Sequence, residues 1–522
     1  MVRRPGLTGV DLAAREPAHT PLRRGPWSVV QGSPESTWRL GSRPRRPVAW
    51  GPVSDEGLRL AREKMAAAGV APVAIDVFEH YYRQLEAGAT GLIREDTIAP
   101  LLDPPRLDAV EVSDDEARAA LAQTVVVKLN GGLGTSMGMH AAKSLLPVRD
   151  GRTFLDLIVG QVRAARERWG ARLPLVLMDS FRTRDDTLAA LSSYPDLVVD
   201  GLPLDFLQSQ EPKLRADDLT PVTWPADPTL EWCPPGHGDI YPSLLSSGVL
   251  DALLDQGFRY ACSSNADNLG AAPDARIAGW FAASGAPYAA ELCRRTAADR
   301  KGGHLAIRKA DGRLILRDTA QTAPDEMDYF TDTEHHPYFH TNNLWFDLRV
   351  LRDALAERGG VLGLPLIRNE KHVDPSDKAS PAVIQLECAL GAAIEVFEGA
   401  TAIVVPRGRF LPVKTTNDLL LLRSDAYTLH DDDTLELAVA EAPLVELDPA
   451  HFQTIAAFDA HFPAGAPSLR DATHLRVVGD VTFGAGVSVH GDVTVAPDGA
   501  TGAVADGTRL GPGDQRGTQP EV

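Results

Sequence analysis

Val125-Val126-Val127-Lys128-Leu129-Asn130-Gly131-Gly132-Leu133-Gly134-Thr135-Ser136-Met137-Gly138 runs β-branched residues straight into a glycine loop, and Lys143 follows five residues later. Four apolar residues interrupted by one lysine suit a buried strand. Glycines let the backbone take positive φ and turn its N–H groups toward an anion with no Cβ in the way. The pattern predicts a phosphate site; a purely structural turn is the plain alternative. Neighbouring loop types fail on spacing, because Met137 stands where a dinucleotide fingerprint needs its last glycine, and Lys143 follows Ala142 rather than the glycine of a Walker loop.

Working outward, short Val/Leu/Ile-rich segments alternate with longer helical ones between Thr124 and about His430. This is the signature of a mostly parallel sheet with covering helices, so the fold class is α/β. Expected strands are Thr124 to Leu129, Pro174 to Met178, Tyr260 to Ser264, Tyr288 to Leu292, Leu344 to Phe346 and Ala402 to Val405. Residues 54–123 have apolar residues spaced three and four apart in Leu58 to Ala67 and Val77 to Leu85, then a polar helix around Asp114 to Leu121, which predicts a helical lead-in to a catalytic domain over 124–430. Residues 1–53, rich in Arg, Pro, Gly and Ser, read as a disordered tail; Asp11, Glu16 and Glu35 count against a transit peptide. In the last segment, 431–515, aliphatic positions recur near a six-residue period over Val477 to Val495. That repeat predicts a short β-helix whose rungs bury their apolar side chains only by stacking, with a hairpin-rich tail as the alternative.

At 522 residues the chain is long for one core, so two or three domains are expected. Hydrophobic content of 44% and charged content of 24% are ordinary for a globular protein, and no apolar run approaches the roughly 20 residues that span a bilayer. The formal net charge of −19 argues against a nucleic-acid binder, which needs a basic face. Cys233, Cys262, Cys293 and Cys388 are scattered without a C-x-x-C pair. They fit a reducing cytoplasm and offer no zinc knuckle.

Four further motifs sit where strands should end. Trp232-Cys233-Pro234-Pro235-Gly236-His237-Gly238-Asp239 is a rigid Pro/Gly turn presenting His237 and bare backbone. Cys262-Ser263-Ser264-Asn265-Ala266-Asp267-Asn268 delivers a carboxylate to the sheet's C-terminal edge, where Asp267 suits Mg²⁺, which takes one or two carboxylates plus substrate phosphate oxygens; a helix N-cap is the bland alternative. Phe339-His340-Thr341-Asn342-Asn343-Leu344 offers paired amides that match vicinal sugar hydroxyls. Pro406-Arg407-Gly408-Arg409-Phe410-Leu411-Pro412-Val413-Lys414 holds three cations in one loop, which suggests polyphosphate. His335, His336 and His340 form a histidine cluster that a transition metal could use, although adjacent histidines in a polar loop are usually solvated.

With these motifs in order, the chain resembles the UTP–glucose-1-phosphate uridylyltransferase family of the eukaryotic type from about Val125 to the C-terminus. The resemblance rests on Leu-Asn-Gly-Gly-Leu-Gly-Thr-Ser-Met-Gly, Pro-Pro-Gly-His-Gly-Asp, Ser-Asn-Ala-Asp-Asn-Leu-Gly, Thr-Asn-Asn-Leu-Trp, Val-Ile-Gln-Leu-Glu and Arg-Phe-Leu-Pro-Val-Lys-Thr-Thr. It implies a Rossmann-like nucleotidyltransferase domain and a C-terminal left-handed β-helix that often mediates homo-oligomers. It also implies that Leu129, Asn130, Gly131, Gly132 and Gly236 hold UTP through backbone groups while Gln208 reads the uracil edge. On the same basis His237, Asn265 and Asn342 contact the glucose 1-phosphate, Asp267 holds Mg²⁺, and Lys143 and Lys414 grip phosphates as the catalytic cations. Three departures stand out: Ala141-Ala142 where relatives carry Gly-Pro, His340 where they carry asparagine, and Gln210-Glu211-Pro212-Lys213 in place of an Arg-containing tract, with Lys213 the substitute cation. The implied reaction converts UTP and glucose 1-phosphate to UDP-glucose and pyrophosphate. Thr135-Ser136-Met137-Gly138 favours glucose over the N-acetylhexosamine branch. A broad-specificity UDP-sugar pyrophosphorylase, a non-catalytic nucleotide-sugar sensor and a hexapeptide-type acyltransferase are the competing readings.

Overall fold

The computed structural model describes residues 55–296, 299, 302–497, 499–512 and 517–518; the tail expected over 1–53 lies outside them. The valine run forms β1 (Thr124–Asn130), in which every residue but Leu129 is buried. Its side chains alternate between two cores: Val126 enters one apolar cluster, Val125 and Val127 the other. A strand buried on both faces has no polar side to show, which is why the sequence reads as a continuous apolar run.

β1 lies inside a seven-stranded sheet with β2 (Leu175–Asp179), β3 (Asp205–Leu207), β4 (Tyr260–Asn265), β5 (Tyr288–Arg294), β6 (Tyr338–Asp347) and β7 (Thr401–Val404), in the order β7-β5-β6-β4-β1-β2-β3. β4, β1, β2 and β3 pair in parallel, as do β5 and β7. Only β6 runs against its two neighbours. Helices Phe154–Trp169 and Ala275–Ser284 cover one face; Pro72–Glu86, Ile240–Ser246, Val249–Asp255 and Leu348–Glu357 cover the other. The expected α/β class, with a mixed and mostly parallel sheet, is what forms.

Two strands differ from expectation. β6 begins at Tyr338 rather than Leu344, because Tyr338 to His340 pair with β5 while the polar character of Tyr338 to Asn343 hides the strand signal; only Leu344 to Phe346 are paired on both sides. β3 escapes periodicity because it has three residues and sits at the sheet edge. Before β1, helices Asp55–Ala67, Pro72–Glu86 and Asp114–Leu121 form where the apolar spacing places them, the last closed by a Ser113/Glu116 capping box. Between them Ile98–Pro100 adds to an antiparallel sheet with Gly303–Arg308 and Leu314–Asp318.

Beyond residue 440 the strands pair in parallel. Leu444–Leu447 pairs with Ser468–Val477, which pairs with Ser488–Pro497, which pairs with Arg509–Leu510; Asp480–Phe483 pairs with Thr501–Val504. Register partners step from Ser468 to Ser488 to Arg509, so each return of the chain takes about 20 residues. Leu475, Val477, Val481, Phe483, Val493 and Val495 are all buried, as the aliphatic repeat requires. No helix among the described residues is long and apolar enough to cross a membrane.

Candidate active site

The chain leaves β1 at Asn130, whose side chain turns inward to donate to Asp179 Oδ1 (2.6 Å) and Thr187 Oγ1 (3.0 Å), so only its backbone is available to a ligand. The loop then closes on itself through Lys143 N–H to Gly132 C=O (3.0 Å). Positive φ occurs at Gly134 (64°) and Gly138 (71°), not at Gly131 or Gly132. Gly131 matters for a different reason: a Cβ there would stand 2.8 Å from the Gln208 amide nitrogen. The two residues named for nucleotide and uracil recognition therefore touch. The N–H groups of Gly131, Gly132 and Leu133 find no acceptor among the described residues, the state of a backbone anion cradle. The Leu129 carbonyl is already taken by Ala266 N–H (3.1 Å), which straps β4's exit to the loop.

Across the loop, Lys143 Nζ donates to Asp267 Oδ2 (2.6 Å) and to the Val413 carbonyl. Val413 N–H in turn donates to the Asp267 carbonyl (3.2 Å), and Asn268 bridges Pro412. Three segments far apart in sequence thus meet at one point. Lys414 follows directly, its side chain exposed; desolvation raises the pKa of the half-buried Asp318 carboxyl, and the Lys414 charge is among the weaker opposing causes. Asp267 Oδ1 is buried and has no hydrogen-bond partner among the described residues. A carboxylate with one oxygen on an ammonium and the other unsatisfied is chemically fit for a hard divalent cation.

The other wall is built from β6. Glu291 of β5 faces three residues of β6, Thr341, Asn342 and Asn343, because the pairing slips between Ala290/Leu344 and Leu292/His340. This bulge throws Asn342 into the left-handed region (φ 60°) and re-aims its amide, which donates to Asn265 Oδ1 (3.0 Å). His237 stands on the turn after Gly236 (φ 81°), exposed on one side, with Nδ1 accepting the Leu390 N–H (2.7 Å). Desolvation in the cleft pushes its pKa down to about 4, so the ring is neutral at physiological pH. Asp239 joins the two walls: it accepts from Ser209 N–H (2.6 Å), next to Gln208, and from Ser243 Oγ (2.7 Å). Burial pushes that carboxyl up to about 6.

Several expectations need correction. The cationic loop spends two of its three charges internally, Arg407 on Asp299 (2.7 and 3.0 Å) and Arg409 on the fully buried Glu291 (2.7 and 2.8 Å), which leaves Lys414. The paired amides do not both face the cleft: Asn343 is buried and bonded to Glu291 (3.1 Å) and the Arg409 carbonyl (3.1 Å). Lys213 is buried with Nζ on the Val373 carbonyl (2.9 Å), so it replaces no phosphate cation. His335 and His336 both turn Nε2 to Glu95 Oε1 (3.0 Å each), with Arg317 on the other oxygen, while His340 lies apart from them beside His237. Glu291, Asp239 and Lys128 were not singled out by sequence. Lys128 is fully buried on Ser264 Oγ (2.8 Å) and the Ala271 carbonyl (2.9 Å), and its interruption of an apolar run was the one signal available.

The sequence profile of the family described as UTP–glucose-1-phosphate uridylyltransferase matches residues 75–490. A Solanum tuberosum protein of that name is 41% identical over 425 residues, covering 79% of this chain and 84% of its own. One from Saccharomyces cerevisiae is 40% identical over 379 residues, covering 72% and 74%. A solved UDP-glucose pyrophosphorylase variant from Leishmania major, in complex with UDP-glucose, superposes with a TM-score of 0.82 at 42% identity over 88% of this chain and 99% of its own.

Proposed function

This chain belongs to the UTP–glucose-1-phosphate uridylyltransferase family, and from that premise we propose how it moves a uridylyl group from UTP to glucose 1-phosphate, giving UDP-glucose and pyrophosphate. A phosphate oxygen of glucose 1-phosphate attacks the α-phosphorus of UTP in line with the leaving group. The new P–O bond forms as the bond to the bridging oxygen breaks, and the electron pair departs with pyrophosphate. No covalent enzyme intermediate is needed, because the task is to hold two anions together and spread the charge.

The observation that carries this reading is the meeting of Lys143, Asp267 and the Val413 backbone, which Lys414 directly follows, at the edge of the sheet. The unbonded N–H groups of Gly131 and Gly132, with Gly236 opposite, receive UTP phosphate and ribose oxygens, and Gln208 reads the uracil edge. His237, Asn265 and Asn342 receive the sugar phosphate. Lys143 and the exposed Lys414 neutralise the phosphoryl oxygens. Asp267 Oδ1 would hold Mg²⁺, whose bound charge supplies further neutralisation of the triphosphate. Asp267 Oδ2 keeps Lys143 aimed at the same place.

We assign residues 124–430 to the nucleotidyltransferase domain and 431–515 to a left-handed β-helix that mediates self-association; the 20-residue step of its parallel strands supports a coil of that kind. Turnover of UTP carrying a chiral α-thiophosphate tests the chemistry. A single inversion at phosphorus is expected, and retention would mean a covalent uridylyl-enzyme. Pyrophosphate release with a panel of sugar 1-phosphates and nucleoside triphosphates tests the preference for glucose and UTP.

A further inference from the structure

His340 has no role in the reaction as described, yet it stands between two residues that do. It lies on β6 and is 6% exposed. Its Nδ1 accepts the backbone N–H of Asn342 (3.3 Å), the residue held at φ 60° by the bulge. A non-glycine residue in that conformation is strained, and a hydrogen bond to its own N–H from two positions back is what over-determines it. The opposite edge of the ring lies against Gly391: a Cβ there would come within 2.6 Å of His340 Cε1 and 2.8 Å of Nε2. Gly391 directly follows Leu390, whose N–H fixes Nδ1 of His237 at 2.7 Å. Nε2 itself is buried without a partner, a polar atom kept at a cost where a methyl group would be cheaper.

We propose that His340 is a positioning residue for the sugar-phosphate half of the site: its ring couples the strained backbone of Asn342 to the segment that holds His237, so that the amide and the imidazole keep one spacing. The inference rests on the reading that His237 and Asn342 receive glucose 1-phosphate. It predicts a split between substrates. The nucleotide half, Gly131 with Gln208, touches none of these atoms, whereas a shift of about 1 Å between Asn342 and His237 is enough to cost one to two orders of magnitude in productive binding.

The test compares His340→Leu, His340→Asn, Gly391→Ala and His237→Ala in the full-length enzyme, with thermal midpoints measured for each. His340→Leu removes the acceptor and should raise KM for glucose 1-phosphate by roughly 10-fold or more while KM for UTP stays within about 2-fold. His340→Asn should restore part of it, because its Oδ1 branches from the same carbon as Nδ1 and can accept the Asn342 N–H although it does not reach Gly391. If His340→Leu fails to fold, Gly391→Ala displaces the ring from the other side and should give the same split. Equal effects on both KM values, an effect on neither, or an asparagine variant as impaired as the leucine one overturns the proposal. His237→Ala separates the two levels: unchanged KM for glucose 1-phosphate there removes the site assignment, whereas a raised KM there with a silent His340→Leu removes only the coupling.

Discussion

The two walls of the cleft are built by opposite means. The nucleotide wall is made by leaving atoms out: Gly131 has no Cβ, its N–H and that of Gly132 have no partners among the described residues, and Gln208 occupies the space. The sugar-phosphate wall is made by putting atoms in, with Asn342, Asn265, His340 and His237 each aimed by a hydrogen bond and backed by the buried Glu291–Arg409 pair. A backbone cradle fits any polyphosphate and needs only room, whereas hydroxyls are distinguished by donors and acceptors fixed in direction. The first wall should therefore fail when bulk is added, the second when groups are removed.

The largest effect should come from behind the second wall. Glu291→Ala leaves the Arg409 guanidinium buried without its carboxylate and unties Asn343 and Trp345 as well, which should cost about 3–5 kcal/mol in urea-induced unfolding. Unchanged stability would mean that the bulge is held by something else. Next is the point where the walls meet. Asp267→Ala should lower kcat by at least about 100-fold, and Lys414→Ala similarly, each as the loss of one electrostatic stabiliser; normal turnover by a folded Asp267→Ala protein would remove that residue from the chemistry.

Adding bulk to the first wall should act more gently. Gly131→Ala pushes a Cβ toward the end of a flexible glutamine, so the thermal midpoint should barely move while KM for UTP rises about 10-fold and KM for glucose 1-phosphate does not. A uniform loss in both would blur the contrast between the walls. A last effect concerns protons and is read as a slope with pH rather than as one change. Burial first, and His237 second, push His340 down to about 3, whereas in the unfolded chain an imidazole titrates near 6.5. The unfolded state then binds the extra proton, so acidification from about 6.5 toward 4 costs stability by up to one proton of linkage, roughly 1.4 kcal/mol per pH unit. Denaturant midpoints should fall less steeply with acid in His340→Asn than in the parent; parallel slopes would show that the imidazole is not held neutral.

The valine run, the glycine loop and the turn around His237 were legible because each depends on local chemistry: a continuous apolar run, missing side chains and Pro/Gly geometry. The front half of β6 was not, since Tyr338 to Asn343 looks like a polar loop and becomes a strand only when β5 supplies a partner. The same holds for the cations of the loop after β7. Nothing in Arg407-Gly408-Arg409 tells which charges will be neutralised from within, because Asp299 and Glu291 lie more than a hundred residues away in sequence.

By itself the chain determined its α/β class and the residue types at every sheet-edge motif, because hydrophobic period and backbone freedom are properties of neighbours along the chain; the reaction those motifs serve followed from their resemblance to a known family. Only the tertiary structure decided which polar groups remain available for substrate. Lys414 is left free where Arg409 is not, and Asn342 faces the cleft where Asn343 is buried, because a charge or an amide is spent or spared according to what folds against it.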